Sequence, residues 1–164
     1  MIVISDASPI LNLAVVGKLN LLPQLYKSVI VPQSVFEEVT HGGKDRPGAM
    51  ELTNAPWISV LPCSNRRLFE ELSTTFDIGE AEAIALAVEI NADLLLIDEK
   101  KGRETARRYH VRVTGLLGVL LQAKRKGMLK EIRSVLDEMV VKANFRVSKE
   151  PYEQILVSAG EIKG

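Results

Sequence analysis

The segment LLLIDEKKGR, Leu94–Arg103, indicates which fold the chain adopts. Its four leading apolar residues suit a strand that is buried on both faces, as in a parallel sheet. The apolar run ends at two carboxylates, Asp98 and Glu99, and a basic segment follows that we predict to be helical. Because ligands of open parallel sheets bind beyond the carboxyl ends of the strands, these charges lie where a functional site is expected.

The same alternation of apolar strands and helices runs along all 164 residues. Five segments predict strands: MIVIS (1–5), SVIVP (28–32), WISVLP (57–62), ADLLLID (92–98) and VRVTG (111–115). Helices separate these strands, the second of them predicted to break at Pro23, and further helices follow the last strand. We therefore predict an α/β fold with three layers, in which helices flank a central, mostly parallel sheet. The length fits a single domain, residues 1–164, with a helical C-terminal extension from about residue 128.

Composition excludes several classes of protein. No apolar run approaches the roughly 18 residues of a membrane span, and the N-terminal segment lacks the basic residues of a signal peptide. The lone cysteine, Cys63, excludes an internal disulfide and a thiolate metal cluster. His41 and His110 are isolated, which argues against a histidine-rich zinc site. We predict a soluble, cytoplasmic protein.

Charge is unevenly distributed although the net charge is zero. Residues 1–97 carry six Lys or Arg against 12 Asp or Glu, whereas residues 98–130 carry ten against three. This asymmetry suggests a surface for a polyanion beside an acidic site. On charge alone, the favoured explanation is that basic helices present solvated faces.

Four carboxylates are expected to meet at one edge of the predicted sheet. Asp6 and Asp98 each end a strand, Glu38 lies on the helix after the second strand, and Glu80 lies at the start of the helix before the fourth. Glu99 follows directly after Asp98. Oxygen ligands without Cys or His favour Mg²⁺ or Mn²⁺. Such a metal supports phosphodiester cleavage by activating water and stabilising charge on the phosphate.

Basic residues beyond Asp98 could hold a polyanionic backbone against this metal: Lys100, Lys101, Arg103, Arg107 and Arg108. The acids also have purely structural explanations. Asp6 and Asp98 suit helix caps, Glu38 suits a solvated helix face, and Glu80 is favourable near a helix N-terminus. Spacing alone leaves both explanations open.

Taken in order, five segments resemble the PIN-domain ribonucleases, the fold of VapC-type toxins, and in particular a prokaryotic PIN-like branch. The segments are ISDASPI, VPQSVFEEV, DIGEAEAIALA, LLLIDEKKGR and VTGLLGVLL, and the resemblance covers nearly the whole chain. It implies a PIN-like three-layer fold in one PIN-like domain.

The resemblance also implies the site residues. The four acids of the family match Asp6, Glu38, Glu80 and Asp98, with Glu37 a less favoured register for the second acid. Glu99 would be an auxiliary metal ligand, and Ser8 resembles a hydroxyl residue that supports the site. The third acid is Glu where Asp is commoner, and a longer side chain could alter the metal spacing.

The implied function is an endoribonuclease that uses one or two Mg²⁺ or Mn²⁺ ions. The resemblance further implies a homodimer and a small antitoxin protein, which would make the chain the toxin of a type II toxin–antitoxin pair. Two alternatives remain open. One is a catalytically inactive PIN-like module that binds RNA or a protein. The other is phosphoryl transfer through an aspartyl phosphate, although the phosphatase pattern needs a second Asp where Ser8 stands.

Overall fold

A five-stranded parallel sheet forms the centre of the structure, a computed structural model that describes residues 1–41, 46–143 and 145–164. The strands are β1 (Val3–Ser5), β2 (Val29–Pro32), β3 (Ile58–Leu61), β4 (Leu94–Leu96) and β5 (Val113–Thr114). Each lies within a segment predicted to be a strand, and every pairing is parallel.

Helices connect the strands and cover both faces of the sheet. In the first half of the chain they are α1 (Ala7–Val15), α2 (Leu21–Tyr26), α3 (Gln33–Thr40), α4 (Ala49–Asn54) and α5 (Arg66–Leu72). In the second half they are α6 (Ile78–Glu89), α7 (Lys100–Arg108), α8 (Leu116–Arg125), α9 (Arg133–Lys142) and α10 (Lys149–Ser158). The predicted three-layer α/β fold is confirmed. Among the helices of the described residues, none has the length and apolar character that a membrane crossing demands.

The order of the strands places β1 at the centre of the sheet. The order is β3-β2-β1-β4-β5, so the chain moves to one side of β1 and then crosses to the other between β3 and β4. Val3 pairs with Leu94, and Ser5 pairs with Leu96. Because such a switch in direction opens a crevice at the carboxyl ends of the strands, the edge beyond β1 and β4 is the expected binding edge.

Apolar side chains alternate between the two faces of the sheet, as the two-residue period of a strand requires. One hydrophobic cluster contains Val3, Leu94 and Leu96 together with residues of α1 to α4 and α8 to α10. The other contains Ile4, Leu95 and Ile97 together with residues of α5 to α7. Burial on both faces explains why β1 and β4 read as continuous apolar runs.

The C-terminal helices belong to the first of these clusters. Leu136 and Met139 of α9 and Leu156 of α10 are fully buried within it. The carboxylate of Glu161 accepts hydrogen bonds from Lys124 Nζ on α8 at 2.8 Å and from the Ile132 backbone N–H at 2.7 Å. These contacts fix the end of the chain to α8 and to the start of α9.

The predicted break at Pro23 is wrong. α2 begins at Leu21 and continues through Pro23 to Tyr26. Proline lacks a backbone N–H, but in the first turn of a helix that group has no partner inside the helix. The carbonyl of Pro23 still accepts a hydrogen bond from Lys27 N–H at 2.9 Å, so the helix closes normally.

Truncating a buried side chain of α9 tests whether the C-terminal helices stabilise the fold. We expect Leu136→Ala to lower the free energy of unfolding by about 2–5 kcal/mol, because it leaves a cavity in the core. The matched control is Val141→Ala on the same helix, where the side chain is 83% exposed and a change within about 0.5 kcal/mol is expected. Urea unfolding of both variants measures the difference. Equal, small effects would show that α9 contributes little to the core.

Candidate active site

Asp6 lies at the carboxyl end of the central strand and is buried. Its backbone N–H donates to the Leu96 carbonyl at 2.9 Å, which extends the pairing of β1 with β4 by one residue. The backbone of Asp6 occupies the N-cap position of α1, yet its side chain makes no capping hydrogen bond. The side chain is 6% exposed and lines two cavities at this edge of the sheet. The helix-cap explanation for Asp6 therefore lacks its hydrogen bond.

Asp98 is held by partners on two other elements. Its Oδ1 accepts from the Leu116 backbone N–H at 2.6 Å, at the start of α8. Its Oδ2 accepts from Ser8 Oγ at 3.1 Å, and Ser8 Oγ in turn accepts from Asn12 Nδ2 at 3.1 Å. A Cβ added at Gly115 would lie 3.2 Å from Asp98 Oδ1, so the absence of a side chain there lets the carboxylate approach α8.

Glu99, and not Asp98, caps α7. Its Oε2 accepts from the Gly102 backbone N–H at 2.6 Å. One oxygen of Glu99 is thus committed to the helix, while the residue also lines a cavity shared with Asp98 and Glu80.

Glu38 and Glu80 approach the same edge from α3 and α6. Glu80 lies in the first turn of α6 and lines the same two cavities as Asp6. Glu38 lies on α3 and lines one of them. The two cavities measure about 600 and 680 Å³ and share Asp6, Ser8, Asn12 and Glu80. Together the two cavities form one cleft, and all four predicted acids line it, as do Glu99 and Ser8.

Asp77 is a further carboxylate of the cleft that the sequence did not identify. Its Oδ1 accepts from the Glu80 backbone N–H at 2.8 Å, so it is the N-cap of α6. It also lines the cavity that contains Glu38. The spacing of Asp77 and Glu80 is that of a helix N-terminus signature. This signature places Asp77 at the same end of α6 as Glu80 and could have identified it.

Glu82 is a second residue that the sequence did not single out, and it positions α3. It is buried, and its Oε1 accepts from both the backbone N–H of Ser34 at 2.8 Å and the hydroxyl of Ser34 at 2.9 Å. α3 has no side-chain cap of its own at Pro32. Glu82 thus caps α3 from the neighbouring helix, one turn before Glu38.

Burial and mutual repulsion raise the pKa values of the four predicted acids of this cleft. Burial raises the pKa of Asp6 from 3.8 to about 7, and the negative charges of Asp77, Glu38 and Asp98 add to the effect. Burial likewise raises the pKa of Glu80 from 4.5 to about 8, with contributions from Asp77, Asp6 and Glu99. In both groups the ionised form is disfavoured unless positive charge is brought in.

The other two acids show smaller shifts in the same direction. Partial burial raises the pKa of Glu38, with the charge of Asp77 adding to the shift and Arg46 opposing it. Burial raises the pKa of Asp98, while its hydrogen bonds from Leu116 and Ser8 and the charge of Arg103 oppose the rise.

The donor chemistry of the cleft fits a hard divalent cation, since every candidate ligand is a carboxylate oxygen. The side-chain positions do not by themselves form a finished metal site. Within residues 1–41, 46–143 and 145–164, no three His, Cys, Asp or Glu side chains are grouped closely enough to hold one ion. The cleft therefore supplies suitable ligands at one edge of the sheet rather than a preformed coordination sphere.

The predicted basic residues occupy two different environments. Arg103 is half-buried beside Asp98, and its Nη1 donates to the carbonyl of Ile97 at 3.3 Å and to the carbonyl of Asp98. It lines the cleft but is engaged with the end of β4. Lys100, Lys101 and Arg107 are exposed on α7 and line neither cavity.

A family model described as a PIN domain matches residues 2–161. No curated protein matches the chain significantly. PIN domains are in general nucleases that use divalent metal ions, and RNA is their usual substrate.

The raised pKa values predict that the metal-free protein loses stability as pH rises. The folded-state pKa of Asp6 lies above its unfolded value, so the contribution of Asp6 is complete below about pH 4 and is lost as pH rises through about 7. The loss is at most about 1.4 kcal/mol per pH unit. Urea unfolding in EDTA at pH 5, 6, 7 and 8 measures it. Asp6→Asn should flatten the curve, and Glu104→Gln, an exposed acid of α7, should leave it unchanged. A curve that Asp6→Asn does not flatten would contradict the assigned burial.

Removing the cap supplied by Glu82 should destabilise α3. We expect Glu82→Ala to lower the free energy of unfolding by about 1–3 kcal/mol, because the Ser34 N–H and hydroxyl lose their acceptor. Glu82→Gln keeps an oxygen acceptor and should cost clearly less. Urea unfolding of the two variants compares them. If both cost the same, the negative charge rather than the hydrogen bonds would be what α3 requires.

Proposed function

The chain belongs to the PIN-domain family, and we propose that it is a metal-dependent endoribonuclease of the VapC type. In this proposal it acts in the cytoplasm as the toxin of a type II toxin–antitoxin pair. The proposal includes a homodimer and a small antitoxin, both of which rest on the resemblance to VapC-type toxins.

The observation that carries the enzymatic proposal is the gathering of mutually repelling carboxylates at the switch point of the sheet. Two of them, Asp6 and Glu80, have pKa values of about 7 and 8. Strongly shifted carboxyl groups in a cleft are typical of functional sites. Helix capping does not account for this cluster, because the side chain of Asp6 makes no capping hydrogen bond.

We assign Asp6, Glu38, Glu80 and Asp98 as the ligands of one or two Mg²⁺ or Mn²⁺ ions, with Glu99 as an auxiliary ligand. A bound divalent ion would supply activation of water and stabilisation of the charge that develops on the phosphate. The protein's part is to hold the ligands. Ser8 and the Leu116 N–H orient Asp98.

Two further residues of the chain support the ligands indirectly. Glu82 fixes the start of α3 and therefore the helix that carries Glu38. Arg103 fastens the end of β4 through the carbonyls of Ile97 and Asp98. Both act on the backbone that positions a ligand, and we assign them as positioning residues.

A second candidate function is a PIN-like module that binds RNA or a protein without cleaving RNA. The observation that favours it is that no three described carboxylates are already grouped closely enough for a metal ion. The two candidates differ in one measurable respect. The module would bind RNA without metal-dependent turnover.

The proposal predicts metal-dependent cleavage of RNA that depends on Asp98. We expect a mixed RNA pool to be cut in Mg²⁺ or Mn²⁺ and to remain intact in EDTA. Asp98→Asn should reduce cleavage by more than the roughly 10- to 100-fold that outer-sphere changes typically cost at metal sites. Asn retains an oxygen that can accept from Leu116 N–H, so the fold should persist. Gel analysis of the cleaved RNA measures the effect.

The matched control for this assay is Glu104→Gln, which removes an exposed carboxylate that lines neither cavity. It should cleave as the unaltered chain does. Cleavage that survives in Asp98→Asn would overturn the ligand assignment. RNA binding without cleavage in any metal would favour the inactive module instead.

A further inference from the structure

We propose that Arg146 and Arg46 hold RNA phosphates on opposite sides of the carboxylate cluster, so that a single strand lies across the site. This inference rests on the proposed function, because it takes a nucleic acid as the substrate. It gives residues 145–148, just before α10, a role in binding substrate, in addition to the packing of Phe145 against the core.

The two cavities at the sheet edge form the path for such a strand. They meet at Asp6, Ser8, Asn12 and Glu80, and each extends away from these residues. One contains Glu38 and Arg46, and the other contains Asp98 and Arg146. A chain that occupied both cavities would place an internal bond at the carboxylates, as endonucleolytic cleavage requires.

The end of α9 and the residues just before α10 line the two cavities. Residues 141–143 line the first cavity, and residues 145–148 line the second. Phe145 packs against the hydrophobic cluster that contains Val3 and Leu96, and so does Tyr152 on α10. Tyr152 Oη also donates to Asp137 Oδ1 on α9 at 2.7 Å. These contacts anchor the neighbours of Arg146 to the protein core.

Four cationic side chains in the described part of the chain line the cavities, and they differ in the hydrogen-bond donors that remain for a ligand. Lys142 is paired with Glu138 on its own helix at 2.8 Å. Arg103 donates to two backbone carbonyls at the end of β4. Arg46 uses Nη1 for the Glu38 carbonyl at 2.9 Å, and its other guanidinium donors bond to no residue that the structure describes. Arg146 is exposed and makes no side-chain hydrogen bond or ion pair with any described residue.

Arginine is well suited to bind an RNA phosphate in each of the two cavities. The guanidinium group presents several donors in a planar fork that matches the oxygens of a phosphate. The carboxylates of the cleft would repel a polyanion, so cations beside them are needed to hold one in place. Arg46 and Arg146 lie in different cavities and would therefore contact different phosphates of one strand.

Binding in EDTA tests this inference without requiring cleavage. The anisotropy of a fluorescently labelled, single-stranded 12-nucleotide RNA gives the dissociation constant at several salt concentrations. Each phosphate contact on a single strand contributes about 0.7 to the slope of log affinity against log salt. We expect Arg146→Ala and Arg46→Ala each to reduce this slope by about 0.7 and to weaken binding several-fold. Their effects should add in the double variant, because the two sites do not share a phosphate.

Two controls keep the result interpretable. Lys126→Ala removes an exposed cation that lines neither cavity and should leave the slope unchanged. Arg46→Lys keeps the charge of Arg46 and should retain most of the slope, which separates phosphate binding from the hydrogen bond to Glu38. Melting temperatures establish that each variant is folded.

Three outcomes would overturn the inference: no RNA binding, no effect of Arg146→Ala, or an equal effect of Lys126→Ala. Non-additive effects of the two arginines would overturn their placement on opposite sides. Failure of cleavage in Mg²⁺ or Mn²⁺ would reject the proposed nuclease while leaving these binding results intact, so the two failures are distinguishable.

Discussion

The parallel pairing of β1 with β4 is the constraint on which the candidate site depends. It brings together two strands whose paired residues, such as Ser5 and Leu96, are 91 positions apart in the sequence. The hydrogen bond from Asp6 N–H to the Leu96 carbonyl continues this pairing to the edge of the sheet. Asp6 and Asp98 then face the same crevice, and α3 and α6 add Glu38 and Glu80 from its sides. Without this pairing the acids would be separate helix-end residues with no common chemistry.

Holding these acids together is electrostatically unfavourable, and the surrounding hydrogen bonds offset part of that cost. Asp98 receives two hydrogen bonds, which stabilise its ionised form. For Asp6, burial outweighs the hydrogen bond from the backbone of Ala7 and raises the pKa to about 7. The ionised form of Asp98 is therefore the better stabilised of the two, and Asp6 is the one that most needs a cation or a proton.

Much of the fold could be predicted from the apolar segments of the chain. Strands that are buried on both faces consist of continuous apolar residues, as in Leu94–Ile97. The order of strands and helices also predicts that the four acids lie at one edge of the sheet, because strand ends and helix starts share that edge. The predicted helix break at Pro23 was wrong because a proline disrupts the interior of a helix but is tolerated in its first turn.

The supporting residues were harder to predict because their partners are remote in sequence. Glu82 reads as an ordinary acid of α6, and only the packing of α3 against α6 shows that it caps Ser34. Asp77 reads as a cap, which it is, and its effect on the pKa of Asp6 arises from packing between elements. The position of Arg146 beside the cleft likewise depends on how α9 and α10 pack.

The most direct test of the central claim is calorimetric titration of Mn²⁺ into the protein near pH 7, repeated in two buffers that differ in ionisation enthalpy. The account predicts saturation at one or two ions per chain, loss of binding in Asp98→Asn, and release of protons as Asp6 and Glu80 ionise around the metal. Absence of binding to the folded chain, or binding that Asp98→Asn leaves unchanged, would contradict it.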